Sequence, residues 1–479
     1  MPPPSSGELT GHRFALRRAA SALVTRDAVP SQDPLRSHHR ATVAGAVLAV
    51  LALGAAAVWG LVDRPRDWRA ESVVAGARSG ALYVVAHHPD RLVPVPNVAS
   101  ARLVTAALPG TAGPGTGAAG APVEVDDAVL VAAPRTRPVG IADAPALPAA
   151  GAPVPPVWSV CDVAVGDPSS PQPWSRPRVT TTVLAGDAAP GRELASSDGV
   201  LLRDRFGGTW LVHEGVRSRV EVGDPVVVAA LGLGGLVPRP TTTSLLNAIA
   251  EGPPIVPPPL AGRGLPGVAG ETVGAVVRLV GPGVGDRYLV VEAGGVQEVP
   301  PLVALLVRLT DPVRATAPIP SASPGPYAAA PLAQEIAVAS YPAVAPLPVP
   351  LPDAPTTCVG ARGGDAGVMV TVAAGTPGSA TALRQADGSG DRVDAASVPG
   401  GGVVVRAVPV GRPDAPGPLA VVSGSGTVYG VPDAGTAQRL GVTGSGAPEG
   451  SAAPVPDTVL RLLPSGPSLT VEAATTPLG

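Results

Sequence analysis

Hydrophobic positions along the chain form one long uninterrupted run and many short ones. The long run covers residues 41–62 (ATVAGAVLAVLALGAAAVWGLV) and contains no charged residue. A helix of roughly 20 apolar residues is long enough to cross the hydrocarbon core of a bilayer. The pattern therefore predicts a transmembrane helix at 41–62, with the preceding residues on one side of the membrane and the large remainder on the other.

The arginines that precede the apolar run indicate its orientation. Residues 1–40 hold six arginines against three acidic residues, whereas the charges just after residue 62 cancel. The six arginines are Arg13, Arg17, Arg18, Arg26, Arg36 and Arg40. Basic flanks stay in the cytoplasm. We therefore expect a single-pass protein of the cytoplasmic membrane, with a cytoplasmic N-terminus and an extracytoplasmic remainder. A cleaved signal peptide is the alternative, although its apolar core ordinarily has about 7–15 residues.

Beyond residue 62 the apolar positions come in short β-rich runs separated by turns. Each of four groups joins an aromatic or β-branched strand to a Val-rich strand through a turn that contains Gly or Asp. The groups cover residues 79–104, 208–222, 287–299 and 419–435. In the first group the second strand is expected to run over 91–104, and in the fourth a turn is expected at 433–435. Apolar segments at 226–233, 302–309 and 458–463 have room for one or two helical turns.

This alternation predicts a bitopic membrane protein whose outer part is an elongated, β-rich α+β domain of about four small repeat units. Pro- and Gly-rich stretches at 108–122, 144–156, 253–270, 315–331 and 343–355 are interpreted as linkers. The predicted divisions are 1–40 cytoplasmic segment, 41–62 transmembrane helix, 63–110 first unit, 111–180 linker and core part with Cys161, 181–255 second unit, 256–271 linker, 272–312 third unit, 313–400 linker and core part with Cys358, and 401–479 fourth unit and tail.

Charge and composition argue against several function classes. The chain carries −3 and its first forty residues carry +3, so the remainder carries −6. An acidic surface without a basic stripe argues against nucleic-acid binding. All 34 basic residues are arginine. A phosphate-binding loop of the form G-x-x-x-x-G-K-S/T requires a lysine, and is therefore excluded.

Other motifs that carry chemistry are incomplete. Two G-x-G-x-x-G strings, at 115–120 and 262–267, lie in predicted linkers rather than between a strand and a helix. His213 and Glu214 begin an H-E-x-x-H zinc motif, but Arg217 occupies its fifth position. We expect no catalytic residue, no cofactor and no metal site, although paired carboxylates leave no sequence signature and stay open as an alternative.

Cys161 and Cys358 both lie in the part of the chain that is expected outside the membrane. An oxidising compartment allows them to form a disulfide. A disulfide between them would close a loop of about 200 residues and stabilise the fold by at most about 5 kcal/mol in the chain-entropy model. Two buried free thiols are the alternative.

Seven strings occur in an order that resembles the EccB family of the actinobacterial type VII (ESX) secretion system. Each string alone is weakly specific, and together they cover nearly the whole chain. They are ALVTRDAVPSQDPLRSHHRATVAGAVLAVLALGAAA within residues 17–61, SGALYVV at Ser79, NVASARLV at Asn97, WSVCD at Trp158, SLLNAIAEGPPI at Ser244, GVQEV at Gly295 and TTCV at Thr356.

The resemblance implies a core membrane component with repeat units around a centre closed by a cystine, and Cys161 and Cys358 stand in the matching contexts. It implies assembly in the bilayer with an FtsK/SpoIIIE-like ATPase, multi-spanning and accessory membrane subunits, and a mycosin protease in a hexameric machine. Self-association is also expected. The family is often labelled ATPase, but a lysine-free chain favours energy from the partner motor. A nucleotide-hydrolysing or wall-acting enzyme and a cell-wall-binding anchor are the alternatives.

Overall fold

The computed structural model describes residues 6–25, 34–62, 67–108, 121–149, 154–281, 284–362, 367–378, 380–386, 392–409, 412, 414–442 and 452–478. Two compact units make up the chain. The first, Met1–Asp67, contains the N-terminal helices, and the second, Trp68–Gly479, is called the large domain below.

The N-terminal unit is helical in its described part. Helix α1 covers Ser6–Thr25 and helix α2 covers Pro34–Val62. In length and composition, α2 alone among the described helices suits a membrane span, within the window His39–Ala56. The helix begins seven residues before the predicted span, with Pro34 in its first turn, where a missing N–H breaks no helical hydrogen bond.

Six of the nine helices described in the large domain begin at a side-chain cap. Asn97, Asp126, Asp224, Thr242, Asp433 and Thr470 each accept a hydrogen bond from a backbone N–H of the first turn. The helices are α3 Val98–Ala107, α4 Asp127–Ala132, α5 Pro225–Ala230, α6 Thr243–Asn247, α7 Pro301–Leu309, α8 Gly325–Ala328, α9 Ala434–Arg439, α10 Asp457–Leu460 and α11 Val471–Thr475. Single 3-10 turns occur at Trp68–Ala70, Val268–Gly270, Val338–Ser340 and Pro399–Gly401.

Strands account for most of the regular structure of the large domain. In its first half they are β1 Val73–Gly76, β2 Leu82–Ala86, β3 Arg91–Val95, β4 Val123–Val125, β5 Val157–Val165, β6 Arg178–Gly186, β7 Arg192–Glu193, β8 Asp198–Arg203, β9 Thr209–His213, β10 Val216–Val220, β11 Arg239–Pro240 and β12 Ala250–Glu251. In its second half they are β13 Val276–Gly281, β14 Val284–Glu292, β15 Gly295–Val299, β16 Ser321–Ala322, β17 Leu347–Pro348, β18 Thr356–Arg362, β19 Met369–Ala373, β20 Thr381–Ala382, β21 Ala395–Ser397, β22 Gly402–Val408, β23 Leu419–Ser423, β24 Val428–Val431 and β25 Ala453–Pro456.

Four sheets share one strand order. In each, three consecutive strands form an antiparallel meander, a helix follows, and a fourth strand returns to pair in parallel with the first. The sets are β1–β4, β8–β11, β13–β16 and β22–β25, and the crossover helices are α3, α5, α7 and α9. A parallel return needs such a crossover because the chain must cross the sheet before it re-enters. Strands β12 and β17 extend the second of these sheets.

A seven-stranded sheet collects strands from distant parts of the sequence, in the order β20-β21-β6-β5-β18-β19-β7. Strand β5 pairs antiparallel with β6 on one side and with β18 on the other. The predicted boundary at residue 181 thus falls inside β6. Nearly all of β5 is buried, as its continuous run VWSVCDVAV suggests for a strand covered on both faces.

The small sheets pack in pairs. Val84 of the first sheet and Leu103 of its helix α3 share a core with Val421 of the fourth sheet and Leu440 at the end of α9. Arg102 on α3 donates a hydrogen bond to the carbonyl of Leu440. The second and third sheets meet through their crossover helices, because residues of α5 and α7 belong to one buried cluster. The pairing therefore joins the first sheet to the last and the second to the third.

Two local predictions are wrong for identifiable reasons. Residues 98–104 were expected to continue a strand, but they form α3, because Asn97 accepts the N–H of Ser100 at 2.9 Å and starts a helix. The turn expected at 433–435 is the beginning of α9, where Asp433 accepts the N–H of Thr436 at 2.7 Å.

Candidate functional site

The basic residues that flank the apolar segment lie on the two N-terminal helices. Side chains of Arg13, Arg17 and Arg18 are exposed on α1, that of Arg40 is exposed on α2, and Arg36 lies within α2. Arg26 lies outside the described residues. Apolar side chains on α1 are exposed as well, Phe14 by 67% and Leu23 by 84%. Such a helix offers both a positive and an apolar surface, the combination that suits an anionic leaflet or an acidic partner.

A disulfide joins Cys161 on β5 to Cys358 on β18, where the two residues lie directly opposite each other. Their Cα atoms are 4.0 Å apart, and the cross-link spans a sequence separation of 197 residues. Both side chains are fully buried. The cystine therefore ties the chain before the second small sheet to the chain after the third, within the seven-stranded sheet.

Asp162, next to the cystine, is a buried carboxylate with a nearly complete set of donors. Its Oδ1 accepts from the hydroxyls of Thr181 and Thr242, both at 2.8 Å. Its Oδ2 accepts from the N–H of Thr242 at 2.7 Å and the hydroxyl of Thr241 at 2.9 Å. Loss of hydration on burial raises the pKa of Asp162, while the hydrogen bonds oppose that shift. Through Thr242, the N-cap of α6, these hydrogen bonds link the start of α6 to β5 at the centre of the seven-stranded sheet.

Arg239 on β11 is the second buried charge that fixes a connection. Only 2% of it is exposed. Its guanidinium donates to the carbonyls of Val349 and Pro350, both at 3.0 Å, and to that of Ala354. Burial lowers the pKa of Arg239 to about 10, and the charge of Asp353 opposes that shift. The Pro-rich stretch at 343–355, expected to be a linker, is thus held in place, and its strand β17 pairs with β8.

The incomplete motifs lie in turns. Glu214 and Gly215, with φ of 48° and 75°, form the two-residue turn between β9 and β10. Nδ1 of His213 lies 3.1 Å from the carbonyl oxygen of Asp198. The Gly-rich string at 262–267 precedes a single 3-10 turn rather than a helix, and the string at 115–120 lies outside the described residues. Among the described residues no group of three His, Cys, Asp or Glu side chains is placed to hold a metal ion.

Sequence reasoning missed the roles of Asp162 and Arg239. A charged residue inside the apolar run VWSVCDVAV was the available signal for Asp162, since a buried carboxylate requires donors nearby. Two neighbouring threonines, Thr241 and Thr242, supply most of those donors, and Thr181 supplies the rest. Nothing in the sequence around Arg239 shows that its partners are carbonyls more than a hundred residues away.

The described residues thus provide one disulfide cross-link, two buried charged side chains that hold distant segments together, and an exposed basic helix. The family model described as "Type VII secretion system ESX-1, transport TM domain B" matches residues 6–478. The chain belongs to this family. The resemblance to EccB proteins that the sequence strings indicated is thereby confirmed.

Relatives of this EccB family member are similar over almost its whole length. One is the "ESX-3 secretion system ATPase EccB3" of Mycobacterium tuberculosis strain H37Rv, 30% identical over 96% of this chain and 87% of the relative. A structure of "the periplasmic assembly from the ESX-5 inner membrane complex" shares 27% identity, covers 87% of this chain and 98% of that chain, and has a TM-score of 0.69. An "EccB3 dimer from the ESX-3 core complex" shares 26% identity over 85% of this chain and 100% of that chain, with a TM-score of 0.67.

Proposed function

We propose that this chain is a structural and assembly subunit of a type VII secretion complex in the cytoplasmic membrane. Helix α2 anchors it, and the large domain forms part of the scaffold on the outer side. The observation that carries the proposal is the likeness to a periplasmic assembly of an ESX inner membrane complex, which covers 87% of this chain. A family match over residues 6–478 supports it.

We infer that the outer scaffold consists of four repeat units around a central core. The shared strand order of the four small sheets supports this division. The seven-stranded sheet with the Cys161–Cys358 cross-link is the proposed core. Each small unit buries little surface alone, so packing in pairs and against the core supplies the stability that a single unit lacks.

Proposed partners are a second copy of this chain and other membrane components of the secretion complex. The solved dimer of a relative supports self-association. An FtsK/SpoIIIE-like motor, multi-spanning and accessory membrane subunits, and a mycosin protease outside the membrane are proposed from the family resemblance. The exposed basic helix α1 is the proposed contact with an acidic partner face or the inner leaflet.

Nucleotide hydrolysis is the competing function, since the relative's name contains the word ATPase. The chain has no lysine with which to build a phosphate-binding loop of the usual form. We therefore assign the energy source to a partner motor and the mechanical scaffold to this chain.

Deletion of residues 1–33 tests the assembly role and leaves Arg36 and Arg40 to orient the anchor. We expect the shortened protein to insert in the membrane in normal amount but to be missing from the purified secretion complex, with export lost. In a matched control, an unrelated helix of equal charge replaces the same residues. If α1 makes specific contacts, this variant should also be missing from the purified complex. Robust ATP turnover by the purified full-length chain, with export lost only when that turnover is lost, would contradict the scaffold assignment.

Topology is the second testable expectation. Because six arginines precede the apolar segment, we expect the N-terminus inside and the large domain outside. Alkaline phosphatase fused after residue 479 should be active, and a fluorescent protein that folds only in the cytoplasm should be dark at the same position. Replacing Arg13, Arg17 and Arg18 by glutamine should leave most molecules oriented correctly, since Arg36 and Arg40 remain. A bright C-terminal fluorescent fusion would show that the orientation is reversed.

A further inference from the structure

An open cavity of about 640 Å³ lies beside the Asp162 network, between the beginning of β6, the turn after β8 and the segment around β11. Four arginines line it: Arg176, Arg178, Arg203 and Arg205. Cavities that hold small organic molecules are typically about 300–1,000 Å³. The size therefore suits a small organic molecule rather than a single ion.

The positive charge of this cavity is only partly balanced by its neighbours. Asp204 points its carboxylate into its own turn, where it accepts from the N–H groups of Phe206 at 2.9 Å and Gly208 at 2.8 Å and from Nε1 of Trp210 at 3.0 Å. Within the described part of the chain, neither Arg176 nor Arg203 has an ion-pair partner. Four arginines around one cavity also contrast with the net charge of −6 beyond residue 40, given −3 for the chain and +3 for its first forty residues.

Asp167 is a further carboxylate near the cavity, since its charge acts on Arg178. It accepts from the N–H of Ser169 at 2.9 Å and from the hydroxyl of Ser169 at 2.6 Å. These hydrogen bonds lower the pKa of Asp167, and the charge of Arg178 adds to the shift. Asp167 thus partly offsets the positive charge of Arg178. The charges of Arg176 and Arg203 remain available to a ligand in the cavity.

The walls of the cavity add apolar surface and a rigid floor. Trp174 and three residues of the segment before α6, Val237, Pro238 and Pro240, form the apolar walls. Thr241 and Thr242 form the floor, and Asp162 fixes both through the hydrogen bonds described above. A floor held by a buried network loses little conformational entropy when a ligand binds, which favours affinity.

We propose that this cavity binds a small organic anion, with its phosphate or carboxylate against Arg176 and Arg203 and a ring against Trp174. A guanidinium presents paired N–H donors that match the oxygens of either anion. An indole adjoining arginines provides a flat surface for a sugar or other ring. The scaffold would then also act as a receptor for an anionic molecule on the outer side of the membrane.

Calorimetric titration of the full-length chain in neutral detergent tests this proposal with three probes: glucose 1-phosphate, glucuronate and glucose. We expect one equivalent of at least one anion to bind and no heat from glucose. Binding of glucose 1-phosphate alone identifies a phosphate ligand, and binding of glucuronate alone identifies a carboxylate ligand. Absence of binding by both anions at millimolar concentration would overturn the proposal.

Arginine variants separate the cavity from general attraction to a cationic surface. R176Q/R203Q should weaken anion binding by roughly tenfold or more, since each charge-assisted hydrogen bond contributes about that factor. The matched control R137Q/R439Q removes two exposed arginines elsewhere and should change binding less than about twofold. W174A should weaken the binding of glucose 1-phosphate, whose ring loses its contact surface. It should not change the binding of inorganic phosphate, which is titrated as an additional probe without a ring. Equal anion affinities of R176Q/R203Q and R137Q/R439Q would refute the site. If R176Q/R203Q is unstable, R203Q alone gives the same comparison.

Discussion

Replacement of Asp162 by alanine is expected to lower the free energy of unfolding of the large domain by about 3 to 5 kcal/mol. The substitution leaves the N–H of Thr242 and the hydroxyls of Thr241 and Thr242 without their acceptor in a site that excludes water. Each buried donor without a partner costs roughly 1 to 3 kcal/mol. Chemical denaturation of the detergent-solubilised chain, followed by circular dichroism, measures the effect.

Asp187→Ala is the matched control for Asp162→Ala. Asp187 follows β6 directly and its side chain is exposed. A surface substitution of this kind changes stability by about 0.5 kcal/mol or less. Equal losses for the two variants would show that the buried network contributes nothing beyond the removal of a negative charge.

The same carboxyl gives stability a defined dependence on pH. Burial raises the pKa of Asp162, so the folded state favours the protonated form. That contribution is fully present below the ordinary pKa of an unfolded aspartate and is lost as the pH rises through the raised pKa of the folded state. Asp162→Asn cannot ionise, so its stability should lack the loss that wild type shows as the pH rises above the ordinary pKa of aspartate. Parallel stability curves for the two proteins would contradict the assignment.

Loss of the Cys161–Cys358 cross-link is expected to lower the free energy of unfolding by about 2 to 4 kcal/mol. The bond closes a loop across a separation of 197 residues, and opening it restores conformational freedom to the unfolded chain. The double variant C161A/C358A, compared with wild type by denaturation under non-reducing conditions, measures the change. A loss much below 1 kcal/mol would mean that the sheet alone holds β5 against β18.

Thiol labelling provides an independent check of the same bond. The denatured, non-reduced protein should contain no reactive thiol, and each single variant, C161A or C358A, should contain one. Two reactive thiols in the wild-type protein taken from the membrane would rule the cross-link out. Reduction before labelling is the positive control and should expose both.

Local features of the fold could be predicted from the sequence, and long-range pairings could not. The hairpin of β9 and β10 is encoded locally, because Glu214 and Gly215 adopt the positive φ that joins two adjacent strands. The parallel fourth strands escaped prediction. For example, β11 has only two residues and pairs with β8. Two residues carry no periodic pattern, and their place depends on the helix that precedes them.

The candidate sites also include features that could be predicted from the sequence and features that could not. The cystine could be predicted because the chain has two cysteines, both beyond the apolar segment at 41–62. The partners of Asp162 could not, because Thr181 and Thr242 lie 19 and 80 positions further along the chain. The cavity arginines Arg176 and Arg203 likewise converge only after β6 and β8 take their places in different sheets.

Packing of the first small sheet against the last has a consequence for biogenesis. Arg102 and Leu440, which meet in that pairing, are separated by 338 positions. At a synthesis rate of about 5 to 20 residues per second, the earlier partner waits roughly 15 to 70 seconds for the later one. During that interval the apolar face of the first sheet lacks the cover that the fourth sheet later provides. We therefore expect the nascent protein to require protection of this face, from a holding chaperone or from neighbouring subunits, until the fourth sheet has been made.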